Sequence, residues 1–403
     1  MNNYSKVIGG ILLVSGTTIG AAMLALPVST GLAGFWPSVA LLIVCWLFMT
    51  YTAFLILEVN LWLGENTNLI SMAKATLGRF GEVVSWATYL FLLYALTTAY
   101  IAGSGPIVID AIHAFTGISL PAYAGSIPLL LIFGFFVYRG TASVDFINRI
   151  LMLGLVVSYA IIVVLLTPHV EPQLLQHADW PELLIAVSVV ATSFGFHIII
   201  PSLTTYLNKD ISKLKTTILI GSIIPVIVYI LWEALSLGVI PLQGEHSIVS
   251  GYQKGTNGAQ LISSILDNTT IAVVARCFAF FAIVTSFIGV SLSLSDFLAD
   301  GLKIKKTRLG RLVLCLLTFV PPALIALIDP RAFLTALEYA GAFGVIVLLV
   351  LLPSLMVWRG RYYQHFKSSF ETPGGKAALC IVIAFALIVI GLEVANKLGV
   401  ITA

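Results

Sequence analysis

An all-α polytopic membrane protein is the fold class the sequence predicts, and three observations carry that expectation. Of 403 residues, 59% are hydrophobic and only 10% charged, too few charges for a soluble domain to cover so much apolar surface. Apolar runs long enough to cross a hydrocarbon layer of roughly 30 Å, which takes about 20 helical residues, recur eleven times. Two of these runs, five apart, are interrupted at mid-depth by glycine and hydroxyl residues: Ser15-Gly16-Thr17-Thr18-Ile19-Gly20 and Thr192-Ser193-Phe194-Gly195-Phe196-His197.

In order, the expected spans are 7–28, 36–62, 83–112, 121–138, 150–167, 182–207, 216–240, 270–298, 311–328, 332–357 and 377–398. Lys6 ahead of the first run resembles a signal peptide, but the run is too long and too polar in its middle, so it is retained as span one. Connectors are short except 65–82, 168–181 and 242–269, where 69–77 and 261–266 have the pattern of short surface helices. The four cysteines, Cys45, Cys277, Cys315 and Cys380, all fall inside apolar runs and behave as small hydrophobes rather than as a disulfide framework.

Charge placement sets an expected orientation. Seventeen of the 21 Lys and Arg fall in connectors on the side of the N-terminus; Lys254, Arg276, Arg331 and Lys397 fall on the other. Cytoplasmic loops accumulate these residues, so the N-terminus is expected in the cytoplasm and the C-terminus outside. Five is odd, so spans one to five and six to ten have opposite topologies, and each unit opens on its interrupted helix. The whole of 1–403 is thus expected to be one transmembrane domain: an inverted repeat of 1–168 with 182–357, plus an extra helix at 377–398.

A spanning helix satisfies its backbone internally, so an interruption is tolerated only where it lines a cavity or meets protein. At the first break the outer half-helix, expected to start near Gly20, turns free amides and a positive dipole toward the midplane, which suits a carboxylate. At the second, carbonyls freed near Ser193 suit an ammonium group, and Gly195 lets the backbone approach closely. Together these ends match a zwitterionic amino acid. The alternative is that small residues merely let helices pack closely. Phe194 and Phe196 are candidates to wall a ring; ordinary packing is the competing reading. Ionisable groups at membrane depth are costly and mark function, which makes His197 and Glu233 candidates for proton coupling. Glu58 and Glu338 are also intramembrane acids, Glu58 being expected to anchor span two with Arg149 or Arg79. Span eight is dense in hydroxyls, Thr285 and Ser286 beside Ala282 among them, and these oxygens suit a hard cation unless they bond back to their own helix. Tyr94 and Tyr100 offer phenols to a substrate carboxylate. No nucleotide loop, metal cluster or nucleophile constellation is present, so enzyme activity and a cofactor are not expected. The basic stretch from Lys303 to Arg311 is explained by topology and anionic lipid rather than nucleic acid, and no obligatory protein partner is indicated.

Gly16-Thr17-Thr18-Ile19-Gly20 with Met23-Leu24-Ala25-Leu26-Pro27, Leu57-Glu58-Val59, the stretch Tyr94 to Ile101, Thr192 to His197, Asp296 to Asp300 and Pro353-Ser354-Leu355 resemble the bacterial hydroxy and aromatic amino acid permease family, most of all its tyrosine-specific members, over nearly the whole chain. The resemblance implies an eleven-span protein of the bacterial inner membrane that imports an aromatic amino acid, normally with protons. Tryptophan-transporting relatives share most of these motifs, and Glu233 and Glu338 depart from the tyrosine-specific pattern. The family is similar in layout to the leucine-transporter fold, which implies substrate contacts at Ser193 and Phe196. It also implies a sodium-type site made of the Gly16 and Ile19 carbonyls with Ala282, Thr285 and Ser286. The expected function is proton-coupled import of tyrosine, with sodium coupling and tryptophan preference as alternatives, and a sensor or passive channel as the competing class.

Overall fold

Each apolar run forms a helix, because in an apolar setting only helical backbone pairs its own donors and acceptors. The computed structural model describes residues 3–64, 67–118, 120–121, 124–329 and 331–399. In order the helices are α1 (Asn3–Thr18), α2 (Ala22–Thr30), α3 (Phe35–Leu63), α4 (Leu69–Thr116), α5 (Ile127–Arg139), α6 (Thr141–Leu166), α7 (Leu183–Thr192), α8 (Ile200–Tyr206), α9 (Ile211–Leu237), α10 (Ile248–Lys254), α11 (Gly258–Ile265), α12 (Thr269–Gly301), α13 (Arg308–Ile328), α14 (Ala332–Tyr339), α15 (Leu352–Tyr362) and α16 (Gly375–Lys397). Among the described residues nine helices are long and apolar enough to cross a membrane, and the bent pair α1 and α2 makes ten. The fourth expected span falls short of that length: α5 has only 13 residues, beginning where Pro128 sets the first turn.

Chain punctuation explains most boundaries. Asn68, Asp210, Ser247, Asn257, Asn268 and Thr307 each accept a backbone N–H at a helix start. The surface helix expected at 69–77 runs into span three at Gly78, whose φ of 74° turns the chain without a loop. Gly140, at φ 97°, is the whole connection between α5 and α6. Span ten is continuous from α14 to α15 through a π-helical stretch, Ala340–Leu351, wound wider than an α-helix.

The two halves of span one have different surroundings. Helix α1 packs on α9 and carries exposed Ile8, Leu12 and Leu13, whereas every residue of α2 is buried, against α7, α9, α10 and α11. The last two helices, from the 242–269 connector, sit over α2 like a cap: a Cβ on Gly258 would meet Pro27 at 3.1 Å, and one on Gly31 would meet Ile248 at 3.1 Å. Only α11 was anticipated, near 261–266.

Three of the intramembrane acids, Glu58, Glu338 and Glu393, are paired near the ends of their spans. Glu58 is 1% exposed and forms a two-pronged pair with Arg361, from Nε at 2.7 Å and Nη2 at 2.5 Å, and also accepts the Thr372 amide at 2.8 Å. The expected partners are wrong because Arg149 turns to Asp145 on its own helix, at 2.8 Å, while Arg361 ends span ten beside span two. Glu338 pairs with Lys397 at 2.7 Å, and Glu393 lies 3.7 Å from the same ammonium.

Removing one member of a buried ion pair strands the other charge at a cost of about 3 kcal/mol or more. Arg361→Ala is therefore expected to lower the unfolding temperature in detergent, and the double variant Arg361→Ala/Glu58→Ala to regain part of the loss. An Arg361→Ala protein as heat-resistant as wild type would count against the pair as an anchor.

Candidate functional site

Three residues, Ile19-Gly20-Ala21, separate α1 from α2, and the two helices diverge by 54°. The unwinding begins after Thr18, two residues beyond the expected end at Gly16. Ser15, Thr17 and Thr18 explain the delay: each hydroxyl donates to a carbonyl one turn back, at 3.0, 2.7 and 2.7 Å, and so reinforces the last turn. Past it, Ile19 still donates to Ser15, but among the described residues no backbone hydrogen bond has the Gly20 or Ala22 amide as donor. The Ala21 amide donates to Ser286 Oγ of α12 at 2.9 Å. Gly20 is needed at this contact, since a Cβ there would stand 2.5 Å from Ser286 Oγ.

The second break runs through Ser193-Phe194-Gly195 and a 3-10 turn at Phe196–Ile199 before α8 resumes. Unlike the first break, it lies within a segment that counts as a single span, Leu183–Tyr206. The two breaks meet through a residue that the sequence reading missed. Tyr229, on α9 and fully buried, reaches Thr18 O at 2.7 Å and Ser193 O at 2.9 Å with one hydroxyl. Its neighbour on the same helix face, Trp232, donates Nε1–H to Met23 O at 3.0 Å. Phe194 packs edge-on against Tyr229, with ring centroids 5.4 Å apart.

A cavity of about 460 Å³ opens beside the breaks. Of the residues expected to hold substrate, Gly16, Thr17, Thr18, Gly20, Tyr100 and Gly195 line it, together with Thr192. Four of the five residues of the expected sodium-type site, Gly16, Ile19, Thr285 and Ser286, also line it; Ala282 is buried behind them. Thr285 donates to Phe281 O of its own helix at 2.8 Å.

Other expected residues stand elsewhere. Tyr94 faces away, donating to Leu317 O of α13 at 2.8 Å. Phe194 and Phe196 are fully buried in the core and Ser193 is 1% exposed, and none of the three is part of the lining. The reason is rotational: with no α-helical turn at 193–195, these side chains are carried toward α9 and the core while Gly195 and Ile198 face the cavity. His197 Nε2 is 2.8 Å from Thr52 Oγ1, and Glu233 accepts from Thr30 Oγ1 at 3.1 Å; both are fully buried, outside the lining.

Tyr89, Asn148 and Met152 line the cavity without having been anticipated. Asn148 was legible as an amide inside an apolar stretch, but span five was drawn from residue 150 and the helix starts at Thr141. The lining is one-sided. Leu12 and Leu13, Asn148 and Met152, and Gly289, Val290 and Ser293 all come from the portions of their helices on the N-terminal side of the breaks, while α2 beyond them is sealed.

Residues 3–393 match the tryptophan/tyrosine permease family. The chain belongs to that family. It is a multi-pass membrane permease for aromatic amino acids and not an enzyme. Relatives lie on both sides of the family's division. Tyrosine-specific transport system 1 of Haemophilus influenzae is 33% identical over 98% of each chain. The tryptophan-specific transport protein of Pseudomonas aeruginosa is 30% identical over 95% of this chain and 93% of its own. The low affinity tryptophan permease of Escherichia coli is 31% identical over 94% and 93%. In fold the permease is similar to the crystal structure of the Eremococcus coleocola manganese transporter in complex with an aromatic bis-isothiourea substituted compound, with a TM-score of 0.60 at 14% identity, covering 98% of this chain and 88% of that one. Among the described residues of the permease, no group of three or more His, Cys, Asp and Glu is placed to hold a metal ion.

Two substitutions test the geometry. Gly20→Ala is expected to reduce substrate binding at least tenfold, and Gly20→Ala/Ser286→Ala to recover part of it, because the second change removes the oxygen that the new Cβ meets; equilibrium binding of labelled substrate in detergent reads both. Tyr229→Phe leaves two buried carbonyls short of their donor, a loss of about 1–3 kcal/mol. It is expected to lower the thermal midpoint and weaken binding while leaving membrane insertion intact; wild-type values in both assays would deny the phenol its bridging part.

Proposed function

We infer that the permease is a secondary active symporter that brings tyrosine into the cytoplasm by alternating access, with protons as the coupling ion. One observation carries this reading: a cavity of about 460 Å³ lies where two helices are unwound side by side, with the Gly20 and Ala22 amides unspent. Such a volume suits a small amphipathic ligand. Amides at the start of α2 receive the carboxylate, the carbonyl ends near Gly16 and Thr18 receive the ammonium group, and the ring lies along the apolar wall of Leu93, Leu96 and Met152. Phe196 does not join that wall in this conformation.

The proposed topology has eleven spans, with α5 as a short fourth, and two inverted repeats, 1–168 and 182–357, followed by the extra helix 377–398. With the N-terminus in the cytoplasm of a bacterial cell, the one-sided cavity corresponds to an inward-facing carrier, and α2 under its α10 and α11 cap forms the closed outer side. Proton carriage is assigned to Glu233, which touches the end of α2 through Thr30 and has one carboxylate oxygen, Oε2, without a hydrogen-bond partner. His197 is held by Thr52 and serves packing in this reading.

Uptake into proteoliposomes tests the whole of it. Labelled tyrosine and tryptophan are expected to accumulate under an inward proton gradient and leucine not to. Equal uptake of all four of tyrosine, tryptophan, phenylalanine and leucine overturns the aromatic assignment. Accumulation under a sodium gradient alone transfers coupling to the Gly16, Ile19, Thr285 and Ser286 oxygens. Flux indifferent to either gradient indicates a channel, and binding without uptake a sensor.

A further inference from the structure

We propose that the permease holds the phosphate of an anionic phospholipid in a second, smaller cavity at the elbow between α5 and α6, apart from the cavity beside the helix breaks. This second cavity, of about 170 Å³, lies where the elbow meets α12 and α13, and Arg139, Thr141, Asp296, Lys306 and Arg311 are among its lining residues. Three cations there face one carboxylate. Lys306 Nζ takes that carboxylate, Asp296, at 2.8 Å. Arg311 donates Nε–H to Lys306 O at 3.2 Å and Nη1–H to Arg139 O at 3.4 Å, so its hydrogen bonds go to carbonyls. The Arg139 guanidinium lies over the Phe135 ring, 5.9 Å from its centroid. Among the described residues neither guanidinium has a carboxylate partner. Like charges gathered round a small cavity repel, and an anion between them turns that repulsion into attraction. Guanidinium groups meet phosphate oxygens with paired, charge-assisted hydrogen bonds, which makes phosphate the anion that this set of side chains suits.

The surroundings favour a lipid over a soluble phosphate. Phe135 and Ile132 stand one and two turns from Arg139 on the same face of α5, and Leu312 and Leu316 follow Arg311 along α13; all four are more than half exposed. On membrane-spanning helices such faces meet acyl chains, so a headgroup in the cavity keeps its tails on apolar surface. Arg139 and Arg311 sit at the ends of α5 and α13 that the proposed topology places in the cytoplasm, where basic pockets between spanning helices are suited to anionic headgroups. A phosphate bound there ties the start of α6 to α12 and α13. Met152 of α6 and Ser286 of α12 line the larger cavity, so the lipid braces two of its walls whichever amino acid that cavity holds.

The experiment follows the thermal midpoint of the purified permease in a nonionic detergent with added phosphatidylglycerol, phosphatidylcholine or inorganic phosphate. Phosphatidylglycerol is expected to raise the midpoint by about 5 °C and the other two to leave it nearly unchanged. Arg139→Gln/Arg311→Gln is expected to lose most of that rise, whereas Lys305→Gln/Arg308→Gln, which removes the same charge from exposed positions outside the cavity, is expected to keep it. Should the first double variant fail to fold, Arg139→Gln alone is measured and is expected to lose at least half of the rise. A full rise in Arg139→Gln/Arg311→Gln or in Arg139→Gln, or an equal loss in Lys305→Gln/Arg308→Gln, overturns the site. An equal rise with inorganic phosphate overturns the lipid as its occupant. None of these outcomes bears on the transport reading, which uptake tests separately.

Discussion

A single phenolic proton shared between two unwound helices is the constraint on which the site depends. Unpaired backbone in a dry setting is among the most unfavourable things a membrane protein can contain, so two interrupted spans need donors and acceptors from elsewhere. Tyr229 faces one carbonyl from each break, Thr18 O and Ser193 O, within 2.9 Å. Trp232 and Ser286 take the next groups along, Met23 O and the Ala21 amide. Among the described residues of the first break, the Gly20 and Ala22 amides are left without a backbone acceptor. Structural needs are thus met around the breaks from outside, and the donors left over coincide with the cavity.

The same economy governs the charged residues. None of the cavity-lining side chains is an acid or a base, so recognition falls to amides, hydroxyls and the helix dipole. Charges that lie at membrane depth are instead paired near the bundle's ends: Glu58 with Arg361, and Glu338 with Lys397, with Glu393 close by. Glu233 stands apart from both groups, with Thr30 as its hydrogen-bond partner. A carboxyl in that position, on the helix that also bears Tyr229 and Trp232, is tied through Thr30 to α2, the second half of span one.

Most of the architecture could be read from the residues, because membrane depth imposes the strictest of sequence rules. Composition identified the class, most span limits fell within a few residues of the helices while the starts of spans three, four and five were missed by more, and both interruptions were located from glycine and hydroxyl content. Side-chain direction was not legible. The unwound stretch Ser193-Phe194-Gly195 and the 3-10 turn at Phe196–Ile199 shift these positions off an ideal helix, so Phe194 and Phe196 enter the core rather than the cavity. Tyr229 and Trp232 were hidden for another reason: within a long apolar helix nothing local separates a phenol that bridges two breaks from one that only packs. Asn148 was lost to a boundary drawn nine residues late, since Thr141 rather than residue 150 begins α6.

Gly140 gives the fold a mechanical property of its own. With one residue between α5 and α6, the two rods have no slack and form a rigid elbow. Helix α6 bears Asn148 and Met152 against the cavity, while α5 leans on α12 and α13. The start of α5 is tied to α4 by the Ser126 hydroxyl, which donates to Ile101 O at 2.8 Å, so the short rod couples the cavity wall on α6 to α4, α12 and α13.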